Sequence, residues 1–148
     1  DEAERIIYMA LQTVTEGTEF VIKTHPTISI EKFKQAIPSS TDVRFTFTDE
    51  PIAELLQTAS LLVTSASSTA LEAVLCSVCV AILGCRSGPT INPLEGIVDE
   101  EFWSICYTPK ALEMAILAKK PEKSVPVAPY FVTPTLQGVL ELLRFETH

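Results

Sequence analysis

The chain is short of basic residues and of histidine. Against 19 Asp and Glu stand 11 Lys and Arg, giving a net charge of −8 and a pI near 4.7. That balance repels polyphosphate backbones, so broad nucleic-acid binding is excluded. It does not exclude a small anion held locally by backbone N–H groups. No stretch approaches the roughly 20 consecutive apolar residues that a membrane helix needs. No basic segment followed by an apolar one opens the chain at Asp1, so no signal peptide is visible. The four cysteines include Cys76-x-x-Cys79, but no second pair and no histidines at matching spacing complete a zinc site. No metal or cofactor is expected, and the cysteines read as reduced thiols behaving as small core hydrophobes, as in a cytoplasmic protein. A Walker loop and a G-x-G-x-x-G fingerprint are both missing.

What is present is apolar sequence in short runs. Hydrophobic residues make up 47 % of the 148, and mean hydropathy is +0.27, which rules out a disordered chain. The length suits one domain over residues 1–148.

Helical and strand patterns alternate throughout. Ala3, Ile6, Ile7, Ala10, Leu11 and Val14 recur at helical spacing, closed by Gly17. Phe20 to Ile22 reads as a strand running into Thr24-His25-Pro26. Ile30, Phe33 and Ile37 give a short helix before Pro38, and Val43 to Phe47 a second strand. Pro51 suits the start of a helix over Ile52 to Ala59. Leu61 to Val63 is a buried-strand run, followed by a hydroxyl-rich loop from Thr64 to Thr69 and a helix over Leu71 to Leu75. Val78 to Leu83 is a further strand closed by Gly84. Ser104 to Tyr107 is the last, before a helix capped by Thr108-Pro109. Trp103 and Phe102 read as packing residues. Pro121 to Pro129 reads as an extended strap, and Thr133-Pro134 opens a final helix. Five strands separated by helices predict right-handed βαβ units in a mainly parallel sheet covered on both faces, a Rossmann-like α/β/α domain.

In such a sheet, ligands bind beyond the carboxyl ends of the strands. Two polar clusters fall there, Lys23 to Pro26 and Thr64 to Thr69. In the second, the first free N–H groups of the following helix and the hydroxyls of Ser67, Ser68 and Thr69 offer a phosphate site. The same residues also read as an ordinary capping box, with Thr69 as N-cap and Glu72 reaching back to it. His25 and Lys23 have structural readings as well, as a satisfied strand-end histidine and a solvated lysine.

Taken together, Lys23-x-His25-Pro26, then Leu61-Leu62-Val63-Thr64-Ser65-x-Ser67-Ser68-Thr69-Ala70-x-Glu72-Ala73, then Val80-Ala81-Ile82-Leu83-Gly84 resemble the C-terminal domain of GT-B glycosyltransferases. The nearest group carries an HP motif and a later serine/threonine motif. It includes bacterial sialyltransferases, capsule Kdo transferases and teichoic-acid glycerophosphotransferases. The resemblance runs from about Phe20 to about Leu117. It implies a nucleotide-sugar donor, CMP- or CDP-activated. His25, Ser67, Ser68 and Thr69 would contact its phosphates, with Lys23 assisting, and Glu72 its ribose hydroxyls. His25 would stabilise the leaving phosphate. Ser77 and Cys79 stand where many relatives have Gly and Pro. The family's catalytic base lies in an N-terminal domain, and no acidic-acidic-Gly motif precedes His25. The chain therefore reads as the donor half of a larger protein for surface polysaccharide, with the carbohydrate or lipid-linked acceptor bound by the other half.

The loop Asn92-Pro93-Leu94-Glu95-Gly96-Ile97 lies at another strand end, where Glu95 would reach the donor sugar or serve as a plain turn residue. Two rival readings remain. A nucleotide-sugar 2-epimerase keeps the fold but wants more histidines than His25 and His148. A non-catalytic α/β interaction domain has no nucleotide ligand. A phosphorylatable receiver is disfavoured, since its central strand ends in Thr64-Ser65 rather than Asp.

Overall fold

A computed structural model describes residues 2–13, 17–24, 29–38 and 44–118. His25, Pro26, Val43, the strap after Pro121 and the helix after Thr133 lie outside the described residues. Among these residues five helices and five strands follow in the order α1 (Glu2–Leu11), β1 (Glu19–Ile22), α2 (Ile30–Ala36), β2 (Arg44–Phe47), α3 (Ile52–Thr58), β3 (Leu61–Thr64), α4 (Thr69–Leu75), β4 (Cys79–Leu83), β5 (Trp103–Cys106) and α5 (Pro109–Leu117), with one 3-10 turn over Glu100–Phe102 between β4 and β5.

Local chemistry sets these boundaries. The side chain of Thr13 turns back to donate to the Met9 carbonyl at 2.7 Å just past the end of α1. Thr108 caps α5 as its sequence announces, its Oγ1 accepting from the Ala111 N–H with Pro109 in the first turn. Pro51 stands one place earlier than a first-turn proline, at the N-cap of α3. α4 ends in a Schellman motif, the Val78 N–H reaching the Ala73 carbonyl and the Ser77 N–H that of Val74. That motif puts Ser77 at φ 59°, a left-handed conformation usually given to glycine.

Every strand pair is parallel. The strands nevertheless form two sheets, β1-β2 and β3-β4-β5, where the sequence led us to expect one. Alternation along the chain gives the number and direction of strands. It does not say which edges bond, because that depends on residues far apart in sequence. In the first sheet Phe20 pairs with Phe45 and Ile22 with Phe47, and the two Phe rings stack at 5.7 Å. In the second, β4 lies in the middle, with Leu62 beside Val80 on one flank and Ile105 beside Ile82 on the other.

β4 also separates two apolar clusters. Val80 and Ile82 face Leu56 of α3 and Ala70, Ala73 and Val74 of α4. Ala81 and Leu83 face Met9 of α1, Cys106 and Leu112 of α5. The three-stranded sheet is thus covered on both faces. Phe102 and Trp103 pack in the first cluster, and the Trp103 indole N–H donates to the Val98 carbonyl, so both are packing residues as their setting implied.

The cysteines depart from expectation. None of the four forms a disulfide, but Cys76 and Cys85 are exposed, Cys79 is half-buried and Cys106 alone is buried. Cys76 follows the last turn of α4 and Cys85 follows β4, so neither stays under the helices that cover the strand itself.

Candidate functional site

The position of the site follows from which helices share a face. α1 touches both α2 and α5, while α3 touches α4. With the two clusters on opposite faces of β4, α1, α2 and α5 form one layer, and α3 and α4 the other. Crossovers between parallel strands are right-handed almost without exception. A helix on one face therefore carries the chain sideways one way, and a helix on the other face carries it back. α2 leads from β1 to β2, whereas α3 and α4 lead from β2 to β3 and from β3 to β4. In open α/β sheets ligands bind beyond the carboxyl ends of the strands; here β1 and β3, whose carboxyl ends carry the two polar clusters, belong to separate sheets and share no ladder.

Each polar cluster stands after its own strand, Lys23 and Thr24 after β1 and Ser65 to Thr69 after β3. From β3, Thr64 and Ser65 enter a tight turn in which the Ser67 N–H bonds the Ser65 carbonyl at 2.8 Å. α4 starts at Thr69, with Ser68 as its N-cap in right-handed helical conformation and without a side-chain cap bond. This corrects the capping box. Ser67 Oγ, not the Glu72 carboxylate, accepts the Thr69 N–H, at 3.3 Å. Ser68 has already taken helical dihedrals, so its hydroxyl lacks the extended backbone from which a cap side chain reaches forward. The Ala70 and Leu71 N–H groups bond the Ser67 and Ser68 carbonyls. The helix start therefore keeps its own N–H groups occupied, and the hydroxyls of Ser68 and Thr69 remain for a ligand. Ser68 is exposed and Thr69 half-buried, and Glu72 stands exposed one turn along.

Lys23 is not drawn into this group. Its Nζ donates at 3.3 Å to the carbonyl of Asp49, in the loop after β2. His25 lies outside the described residues. Glu95 is exposed in a turn pinned by the buried Leu94, whose N–H bonds Asn92 Oδ1 at 2.9 Å. Nothing joins that turn to the Ser65–Thr69 turn by a hydrogen bond among the described residues.

Arg5 is a candidate that the sequence reading missed. Its Nε and Nη2 are shut off from solvent with no hydrogen-bond partner. A signal existed, since a cation in the first turns of a helix opposes the macrodipole, and Arg5 precedes the buried Met9 by four residues on the same face. The charge of Arg5 also reaches Cys85, beyond the end of β4. Hydrogen bonds from the Ser87 backbone and side chain hold that thiol below its usual range, and Arg5 adds to the lowering. The loop after β4 is fixed by Thr90, whose Oγ1 accepts the Cys85 N–H at 2.9 Å and meets the Tyr107 hydroxyl at 3.0 Å. A Cβ at Gly84 would stand inside the Tyr107 ring, which accounts for the glycine that closes β4.

A cavity of about 440 Å³ lies elsewhere, at the amino ends of β3, β4 and β5 between Phe102, Trp103 and Met114. It is apolar and remote from the strand ends that carry the polar clusters. Among the described residues no cluster of acidic, histidine or cysteine side chains could hold a metal ion, and no helix is long and apolar enough to cross a membrane. Comparisons with protein-family models, curated proteins and solved structures give no match to this chain.

Proposed function

We propose that this chain is the nucleotide-sugar donor-binding half of a GT-B glycosyltransferase, a Rossmann-like three-layer domain whose crevice lies between the carboxyl ends of β1 and β3. The observation that supports the reading is that both phosphate-type clusters of the sequence follow parallel strands, β1 and β3, at the ends where such sheets bind ligands; right-handed crossovers on opposite faces would set those ends beside one crevice. The donor is CMP- or CDP-activated, and the acceptor, a surface carbohydrate or lipid-linked chain, is bound by a partner domain of the same cytoplasmic enzyme.

Transfer leaves negative charge on the departing phosphate. The hydroxyls of Ser68 and Thr69 donate to it, the guanidinium of Arg5, whose Nε and Nη2 have no partner, supplies positive charge, and His25 donates a hydrogen bond or a proton as the charge develops. Glu72, on the exposed first turn of α4, accepts from the ribose hydroxyls. Lys23 braces the loop after β2 rather than the phosphates.

One observation favours the second reading, a non-catalytic α/β interaction domain. The N–H groups at the start of α4 are spent on their own turn. A thermal-shift screen against CMP, CDP, UDP, GDP and ADP separates the two. A ligand that binds only the folded chain adds about 2.7 kcal/mol at 100 times its Kd. A shift selective for cytidine nucleotides, reduced in Ser68→Ala/Thr69→Ala and in His25→Ala, is the expected result. A uridine preference points instead to the epimerase-type relative. No shift with any nucleotide at millimolar concentration supports the interaction domain.

A further inference from the structure

We propose that the open apolar groove at the amino ends of β3, β4 and β5 is the docking site of the chain's own residues 134–145, seated against α5. The groove lies at the end of the sheet opposite the polar clusters, so the proposal is independent of what those clusters bind.

α5 carries two apolar faces. One, with Leu112 buried and Ile116 beside it, packs on the sheet. The other runs through Ala111, Met114, Ala115 and Ala118, which line the groove together with Phe102 and Trp103. Their i, i+3, i+4, i+7 spacing is that of one helical stripe. Met114 is 64 % exposed, and Leu117, one turn along, 66 %. Exposed apolar side chains that stand singly need no account, but these two adjoin an apolar groove of about 440 Å³. The three alanines leave room for a second helix to come close, at an axial distance of about 8 Å.

The described residues stop at Ala118, itself in the groove wall, so residues 119–148 leave the fold from the groove's edge. They contain Leu136, Val139, Leu140 and Leu143 after the start signal Thr133-Pro134. That is the same i, i+3, i+4, i+7 stripe as the one α5 presents. A lone helix of about 12 residues is marginal in water and holds only when its apolar face is covered. The linking residues 119–133 include Pro121, Pro126 and Pro129. Fully extended they span about 45 Å. α5 has nine residues and is about 14 Å long, so the link reaches any point along it.

Charge selects the same occupant. Residues 119–148 hold four of the chain's 11 basic residues and three of its 19 acidic ones. They are therefore net positive, while the rest of the chain is strongly acidic. Lys119 and Lys120 follow Ala118 directly, and the exposed Glu100 and Glu101 stand at the groove. A second copy of the acidic fold would bring like charge to that mouth.

The two methionines give the test its probe and its control. Met114 lies in the groove, and Met9 is fully buried in the core. The dilute 148-residue chain is labelled at the Met and Leu methyl groups and read by NMR with a soluble paramagnetic agent. The expected result is a Met114 methyl shielded nearly as well as that of Met9, with Overhauser contacts to the methyls of Leu140 or Leu143. In Leu140→Asp/Leu143→Asp those contacts are lost and Met114 relaxes as an exposed side chain, while Met9 is unchanged and reports an intact core. Three results overturn the proposal. Met114 is open to the agent in the unaltered chain. Its shielding grows with protein concentration, or the contacts arise between differently labelled copies, so a second copy fills the groove. Or Met114 stays shielded in the double variant, so something other than this stripe covers it. The first reading needs no altered chain, so refutation does not depend on the variant folding.

Discussion

The two sheets share the same strand type and differ in how much covers them. β4 has a strand on each flank and helices on each face, and it buries four consecutive residues. β1 has one strand beside it and only half-buried positions at alternate residues, with Glu19 and Val21 left exposed. β2 repeats that pattern with Arg44 and Thr46 outward, and there Thr46 donates to Glu19 across the pair at 2.6 Å. Parallel strands normally need burial on both faces. The difference therefore divides the molecule into a completed half, which holds both apolar clusters, and a less covered one, the pair β1-β2. Stability should reside in the first half and be scarce in the second.

The sharpest way to break that comparison is a pair of truncations. Ile82→Ala empties the middle of the core, where the side chain is 0 % exposed. It should cost about 2–5 kcal/mol. Val21→Ala, at a half-exposed site, should stay within about 0.5 kcal/mol. Urea denaturation measures both, and equal losses would mean that the two sheets share one core.

A smaller effect of opposite sign is expected at Arg5. Replacing it by Met removes two buried donors that have no acceptor, and the unliganded chain should gain about 1 kcal/mol. The same change should weaken nucleotide binding. Stability is read by denaturation and affinity by calorimetry. A destabilised variant with unchanged affinity would make Arg5 a structural residue of the completed half.

Ser77→Gly sharpens the comparison from within that half. It relieves a left-handed serine at φ 59° and should add about 1 kcal/mol by thermal denaturation. No gain would mean that the strain is absorbed by the Schellman turn.

The smallest effect concerns the thiols. Bonds from Ser87 and the Arg5 charge lower Cys85, while burial raises Cys106 despite a bond from Ser104. As pH rises, Cys85 should form its thiolate and be alkylated first, and Cys106 last and slowest. In Arg5→Met the Cys85 profile should move to higher pH. Peptide mapping after iodoacetamide at stepped pH follows both.

Much of the fold was legible because its signals are local. Pro38, Thr108-Pro109 and the apolar runs at Phe20 and Leu61 mark where elements begin and end to within a residue or two. The pattern could not tell that β1 and β3 fail to pair, since no residue in either strand states its neighbour. Thr69 read as the cap of α4, but Ser68 holds that place, with helical dihedrals that sequence does not encode singly. Arg5 was hidden because it sits in a stripe read only for its apolar members. Cys76 and Cys85 looked like core residues from their apolar surroundings, yet each lies just past the element that supplies them.

The central claim is that the ends of β1 and β3 form one nucleotide crevice. The direct test is to titrate the ¹⁵N-labelled chain with CDP and follow its amide resonances. The account predicts that Lys23 and Thr24 shift together with Ser65 through Glu72, with one apparent Kd, while residues around the Phe102–Met114 cavity stay still. Shifts confined to that cavity, or to only one of the two strand ends, would contradict it.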